Sequence, residues 1–353
     1  MSSESPLTLT SDSTANDKAS RLKLASADAN PAKRSLSATA LHVAGKYGIV
    51  FVLLVLIVAG QIIYNQFLTI SNLSTILSQN AGVGIVAVGM TFVILAEGFD
   101  LSVGGIFALA SVVYAGVAQQ SSVLMGLAAA IGVGLAAGLI NGAVVSRVRV
   151  NPFVTTLGSG YVFSGLAYLY ATAPIGVSKA GFQLLGTGAI VGIPITIVIL
   201  VVTTAVATVI LWKTVYGRNV FAVGGNLEAS RLAGIRVGMT RGSTYLITGG
   251  LAALAAILSV SQLGVAEANV GTTLPLTSIA MVIIGGTSLA GGEGSMWRTV
   301  VGFLVISGLS NLLNSLGIAS SWQSIATGLI LVGAVAVDVL TGRVSLAGYL
   351  KRS

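Results

Sequence analysis

From about residue 47 onward the chain alternates long apolar runs with short polar punctuation. The runs fall near 47–66, 80–97, 103–118, 123–145, 152–173, 191–212, 244–264, 274–290, 298–317 and 322–341. An α-helix needs about 17 to 25 apolar residues to cross the hydrocarbon core of a bilayer. A helix is also one of the two structures that satisfy every backbone group there. The pattern therefore predicts an all-α fold, a polytopic membrane helix bundle of about ten transmembrane helices over residues 47–341. Two runs are soft: the second and third are parted only by "LAEGFDLSVGG", and the eighth is short and ends in "GGTSLAGGEG". Residues 1–46, rich in Ser, Ala, Asp, Lys and Thr and without an apolar period, read as a disordered tail. They do not resemble a cleaved signal peptide, whose charged region leads directly into a short apolar core. Residues 342–353 read as a second, short tail.

Composition removes the main rival. Of the 353 residues 54% are hydrophobic and 8% charged, with a mean hydropathy of +0.95, whereas soluble domains carry about 25% charged residues. Cysteine is absent, which excludes disulfides, thiolate metal sites and a cysteine nucleophile. The one histidine, His42, lies in the tail and reads as solvated. The net charge of +8 has no patch with interleaved aromatics behind it, so no nucleic-acid partner is expected.

The basic residues instead report orientation, because Lys and Arg collect on the cytoplasmic side. With the N-terminus inside, ten crossings put Lys18, Arg21, Lys23, Lys33, Arg34 and Lys46 inside, followed by Arg147 and Arg149. Lys213, Arg218, Arg231, Arg236, Arg241, Arg298, Arg343, Lys351 and Arg352 fall inside as well, and only Lys179 falls outside. Both termini are thus expected in the cytoplasm. The 45 glycines include the helical spacing "GVGLAAGLING", where Gly132, Gly134 and Gly138 leave side-chain-free surface for close packing. In "GVGIVAVG" packing and a hinge are both open.

Two acids interrupt apolar sequence in the first motif. Each charged side chain at the centre of a membrane helix costs about 2.5 to 3.5 kcal/mol, so Glu97 and Asp100 are not expected to face lipid. Irregular backbone at membrane depth is tolerated when buried in protein or lining a cavity, which makes Glu97, Phe99, Asp100 and Ser102 candidate pathway residues. Alternatively, Asp100 or Ser102 caps the next helix. The stretch "GGTSLAGGEGSMWR" repeats the theme with Thr287, Ser288 and Glu293, and paired broken helices often line a transporter's binding site. The only internal similarity between the halves, "GLIN" and "GLSN", is too short to establish a duplication. In "RVRVNPFVTT", Asn151 and Pro152 are helix-start signals, while Phe153, Thr155 and Thr156 on the first turn are pathway candidates. Trp322 reads as an interface anchor or a pore residue.

Residues 213–243 form the one long polar segment within the folded part. Asn226 is a plausible N-cap, and Leu227 to Leu232, Glu228 among them, make a short helix that Gly234 ends. The apolar, glycine-rich approach "AVGGN", flanked by Arg218 and Arg231, favours a docking element over a plain connector.

The motifs "LAEGFDLSVGG", "VNPFVTTLGSGY", "GRNVFAVGGNLEASRLAGIRV" and "IIGGTSLAGGEGS" together resemble the permease subunits of bacterial carbohydrate importers of the ABC class, in the same order and spacing, from about residue 47 to 341. The resemblance implies that residues 226–234 are the coupling helix, and that Gly224, Asn226, Ala229 and Gly234 contact the cytoplasmic ATPase. It also implies a second permease copy, two nucleotide-binding domains and a soluble extracytoplasmic sugar-binding protein. Many members have alanine where this chain has Ser230. No cofactor is expected on this chain: the phosphate cradle G-x-x-x-x-G-K-[ST] is missing, "GKY" at Gly45 being incomplete, so ATP and Mg would sit on the partner. An ion-coupled secondary transporter, using Glu97, Asp100, Glu267, Glu293 or Asp338, and a branched-chain amino acid permease are the alternatives. A membrane enzyme is disfavoured, since no His or Cys lies in the spans and no acidic pair in a polar loop suits a metal.

Overall fold

The computed structural model describes residues 48–333 and 336. The tail, His42, Asp338 and the basic residues below 47 and above 342 lie outside the described residues. The chain divides into two units, 1–48 and 49–353, and the account below concerns the second. Helices dominate it: α1 Gly48–Ile63, α2 Ile70–Leu95, α3 Val103–Gln120, α4 Val123–Ala143, α5 Pro152–Tyr170, a four-residue α6 Leu184–Thr187, α7 Ile195–Lys213, α8 Val215–Gly225, α9 Leu227–Leu232, α10 Val237–Leu263, α11 Leu274–Ile284, α12 Met296–Ser315 and α13 over 320–333. Two short antiparallel pairings, Ile175–Gly176 with Val265–Ala266 and Ala189–Ile190 with Ile193–Pro194, are the sheet content among the described residues.

A helix stands within each of the ten apolar runs, and six are long and apolar enough to cross a membrane: α2, α3, α4 with its extension to Val148, α7, α10 and α12. Helices α1 and α11 are shorter, and the last run continues past the described residues. Helix α2 begins ten residues before the apolar run that announced it, at Ile70 rather than 80. Its first turns carry Ser, Asn and Thr, capped by Thr69, whose side chain accepts from Asn72 N. Polar first turns hide a helix start from a hydropathy window.

Helices α2, α3 and α10 form the core, with Phe92, Tyr114, Ile257 and Leu258 among the fully buried side chains. Close approach is set by glycine. On α4, a Cβ at Gly134, Gly138 or Gly142 would collide with backbone oxygens of Gly249, Tyr245 and Gly242 on α10. The seam thus runs through every fourth residue, as small residues allow in lipid. Gly132 takes no part, for nothing lies within 4 Å of where its Cβ would be. Spacing alone could not tell which glycines face the partner helix. In "GVGIVAVG", Gly84 and Gly89 pack against Leu200, Phe303 and Thr248, and α2 runs through them unbroken. Packing, not a hinge, explains these glycines.

Candidate functional site

Helix α2 ends where the first motif begins. The N–H of Gly98 donates to Val93 O (2.9 Å) and that of Glu97 to Ile94 O (3.0 Å), the paired bonds of a Schellman ending. The left-handed position of such an ending is usually glycine, and here Glu97 holds it with φ 60°, a conformation costing a residue with a side chain about 1 to 2 kcal/mol. The same ending closes α11 at Gly286, φ 81°, and α9 at Gly234, φ 80°. What holds Glu97 in place comes from elsewhere. The guanidinium of Arg241, on the first turns of α10, donates to Glu97 O at 2.8 Å, a cation at a helix C-terminus where the macrodipole favours one. The Glu97 side chain is exposed.

The backbone then turns over Phe99 to Ser102 into α3. Asp100 is completely buried, and its Oδ1 accepts from both the N–H (3.0 Å) and the hydroxyl of Ser102. The Ser102 hydroxyl accepts in turn from Asn141 Nδ2 on α4 at 2.7 Å. Thr156 on α5 ties down the same turn, accepting from Leu101 N at 3.1 Å while donating to Pro152 O at 2.8 Å. The Tyr245 hydroxyl on α10 donates to Phe99 O at 3.3 Å. Three helices thus fix a four-residue turn. Asp100 Oδ2 and Asn141 Oδ1, both buried, have no partner among the described residues.

Against this helix end pack two further segments that the sequence separates by more than a hundred residues. The N–H of Gly292, in the α11–α12 loop, donates to Leu95 O at 3.0 Å. A Cβ at Gly291 would lie 2.9 Å from Glu97 N, one at Gly292 would lie 2.6 Å from Gly225 Cα, and one at Gly224, at the end of α8, would run into Leu95 O. The "EGFD", "AVGGN" and "AGGEG" segments therefore meet main chain to main chain. At Gly224, Gly291 and Gly292 glycine is required because a Cβ would run into main chain.

Other anticipated residues fall around this centre. Asn226 caps α9, its Oδ1 accepting from Ala229 N at 2.9 Å, and Glu228 pairs with Arg231 at 2.9 Å on the exposed face. Arg218 and Ala229 are also exposed. The segment 213–243 holds two helices, α8 and α9, and the first turn of α10, rather than a loop with one short helix. Thr287 is buried with an unpartnered hydroxyl, and Ser288 closes the loop by donating its N–H to Glu293 O at 2.9 Å. Asn151 caps α5, accepting from Phe153 N at 2.9 Å. Thr155 is half-buried, while Phe153 at 52% and Trp322 at 63% exposure stand outside the cluster.

A cleft of about 310 Å³ opens beside the middle of α2, at Ser78 to Val83. It is lined by Ser78, Gln79, Phe107, Thr196, Ser259, Gln262, Thr273 and Thr277, with apolar neighbours and no charged side chain. Ser78 and Gln79 adjoin in α2 and the rest come from four other segments, so only the convergence of five segments brings them together. The signal available in sequence was the presence of amides, Gln79 just before one apolar run and Gln262 near the end of another.

The described residues thus hold six helices long and apolar enough to cross a membrane, joined to the polar α8–α9 segment by a glycine contact. The family model for the branched-chain amino acid transport system / permease component matches residues 72–335, and the chain belongs to that family. It is 38% identical to the ribose import permease of Escherichia coli over 81% of this chain and 91% of the relative. The Bacillus subtilis ribose import permease is likewise 38% identical, over 81% and 90%. The galactose/methyl galactoside import permease of Escherichia coli is 33% identical over 86% and 95%. No solved structure matches.

Proposed function

We propose that this chain is the membrane permease subunit of an ABC-type importer for a monosaccharide or related polyol, driven by a separate ATPase and supplied by an extracytoplasmic binding protein. Although the family model is described by branched-chain amino acids, the relatives above are named for ribose and galactose import. In this reading the chain crosses the inner membrane ten times with both termini cytoplasmic, pairs with a second copy and binds no ATP itself. Helices α8 and α9, with Arg218, Gly224, Asn226, Glu228, Ala229, Arg231 and Gly234, dock on the ATPase. The turn from Glu97 to Ser102, with Thr156 and Thr287, borders the translocation pathway.

The observation that carries the reading is the contact of Gly224 and Gly225 with Leu95, Gly291 and Gly292, Gly291 in turn meeting Glu97. Contacts between main chains have no rotamers to absorb a displacement, so movement of α8 is passed to the end of α2 and to the α11–α12 loop together. A secondary transporter has no use for a rigid link from a polar segment to the helix breaks. The test is uptake of D-ribose, D-galactose and D-allose by cells expressing the permease with its neighbouring ATPase and binding protein. Uptake should persist with an uncoupler present and stop when ATP is depleted. Collapse with the uncoupler while ATP is held constant would return the chain to the ion-coupled class.

A further inference from the structure

The cleft beside the middle of α2 has the lining of a binding site, although nothing so far gives it a role. Its polar groups are two carboxamides, Gln79 and Gln262, and the hydroxyls of Ser78, Thr196, Ser259, Thr273 and Thr277, set beside the ring of Phe107. Carboxamides and hydroxyls both donate and accept, and none of them carries charge. The size, about 310 Å³, is at the lower end of the roughly 300 to 1,000 Å³ of small-molecule sites.

Thr196 is the most telling member. Its side chain is 1% exposed and its hydroxyl is buried without a partner, a state that buried polar groups in folded proteins seldom keep. Thr196 is one of the residues that line the cleft. Thr196 also stands on the first turn of α7, whose N-cap is Pro194 and gives no side-chain acceptor. The first-turn N–H groups of this 19-residue helix are left without a side-chain cap. At the opposite wall α11 begins after Thr273, which makes no capping bond either. Among the described residues the amides of Gln79 and Gln262 take no hydrogen bond. The Ser78 and Thr277 hydroxyls donate to Thr75 O and Thr273 O of their own segments, which leaves Thr196, Gln79 and Gln262 as the groups with hydrogen bonds still to make beside Phe107.

We infer that this cleft is a binding station in the permease itself for one neutral polyhydroxy molecule of monosaccharide size, with Thr196, Gln79 and Gln262 reading its hydroxyls. The inference rests on the importer reading for the identity of the cargo, but not for the existence of the site. It adds a second selection step to the one expected of the soluble binding protein. A site built to hydrogen-bond a hydroxyl rejects an analogue lacking it, because its own groups are then left unpaired.

Thr196→Val and Gln262→Leu test it. Valine replaces a hydroxyl that has no partner, so the melting temperature of the solubilised protein should hold or rise. In proteoliposomes containing the permease, the ATPase and sugar-loaded binding protein, both variants should keep stimulated ATP hydrolysis while sugar delivered per ATP falls about three- to tenfold, the loss expected for one hydrogen bond. Gln262→Asn should recover part of it. Titration of D-ribose, D-galactose, D-allose, D-xylose and myo-inositol into the solubilised permease, which needs no ATPase, should show saturable binding of at least one, weakened in Thr196→Val. Unaltered sugar per ATP in both variants, hydrolysis falling in step with uptake in both, or no saturable binding of any of the five would overturn the station. Failure of the importer reading would look different: the unsubstituted complex would show no ATP-driven uptake, while sugar binding to the permease persisted.

Discussion

A single carboxylate, Asp100, shows how a residue costly to place in a membrane can be structural. Its Oδ1 receives two bonds from Ser102, and Ser102 receives one from Asn141, so the acid organises the turn into α3 and links it to α4. Cap and pathway roles predict different outcomes for two substitutions. Asp100→Leu leaves the Ser102 N–H buried and unpaired, at a cost of about 1 to 3 kcal/mol. It should lower the melting temperature and abolish most uptake. Asp100→Asn keeps an acceptor at Oδ1, and near-native stability and uptake from it would assign Asp100 to the turn. Equal loss of uptake in both variants, with Asn as stable as the native chain, would assign the work to the charge. The sequence marked this position because two acids in apolar sequence are conspicuous. It could not mark Thr196, Gln79 or Gln262, since a lone hydroxyl or amide near a helix end is common, and only assembly of distant segments gives those residues meaning. Glu97 was equally opaque: its left-handed backbone depends on the Arg241 guanidinium, 144 positions away.

At the scale of elements, the apolar runs located the helices because burial in lipid or in the core demands apolar sequence in either case. Boundaries failed where polar residues lie within the helix, as in the first turns of α2 and the whole of α8. The glycine-rich motifs were legible as special but not as related. Their common site is a contact between three main chains, and a glycine that avoids a collision looks in sequence like one that makes a turn. Neighbouring glycines at the end of α8 give a clean comparison. A Cβ at Gly224 would collide with Leu95 O, whereas at Gly225 nothing lies within 4 Å. Gly224→Ala should therefore separate α8 from α2 and cut uptake at least tenfold, with permease still reaching the membrane and stimulated hydrolysis reduced or no longer linked to uptake. Gly225→Ala should be nearly silent in the same assays. Similar effects of the two, either both silent or both severe, would remove the main-chain contact from the coupling route.

For the whole molecule, the connections between helices fall into two groups, and α3 measures their separation. At its start, the turn at Ser102 neighbours Glu97, Arg241, Gly224 and Gly292. At its other end, the Ser121 carbonyl accepts from Lys179 Nζ, and the segment just before Lys179, Ile175–Gly176, pairs with Val265–Ala266 after the end of α10. Eighteen residues of helix span about 27 Å, close to the hydrocarbon thickness of about 30 Å. The first group holds Arg241, and Arg298 donates to Gly286 O in the same loop. Lys179 is the basic residue that binds in the second. Since basic residues are retained on the cytoplasmic side, the end bearing Glu97, α8 and the α11–α12 loop should face the cytoplasm, and the end bearing Lys179, which the cleft approaches through Gln262, should face outward. A periplasm-active phosphatase fused after Lys179 should be active, and the same enzyme fused after Arg218 inactive. A fluorescent protein that folds only in the cytoplasm should give the reverse at both points. Activity on the same side at both junctions would mean that the chain between them does not cross the membrane, and opposite activity at both would turn the Gln262 side of the cleft to the cytoplasm, away from a binding protein outside the cell.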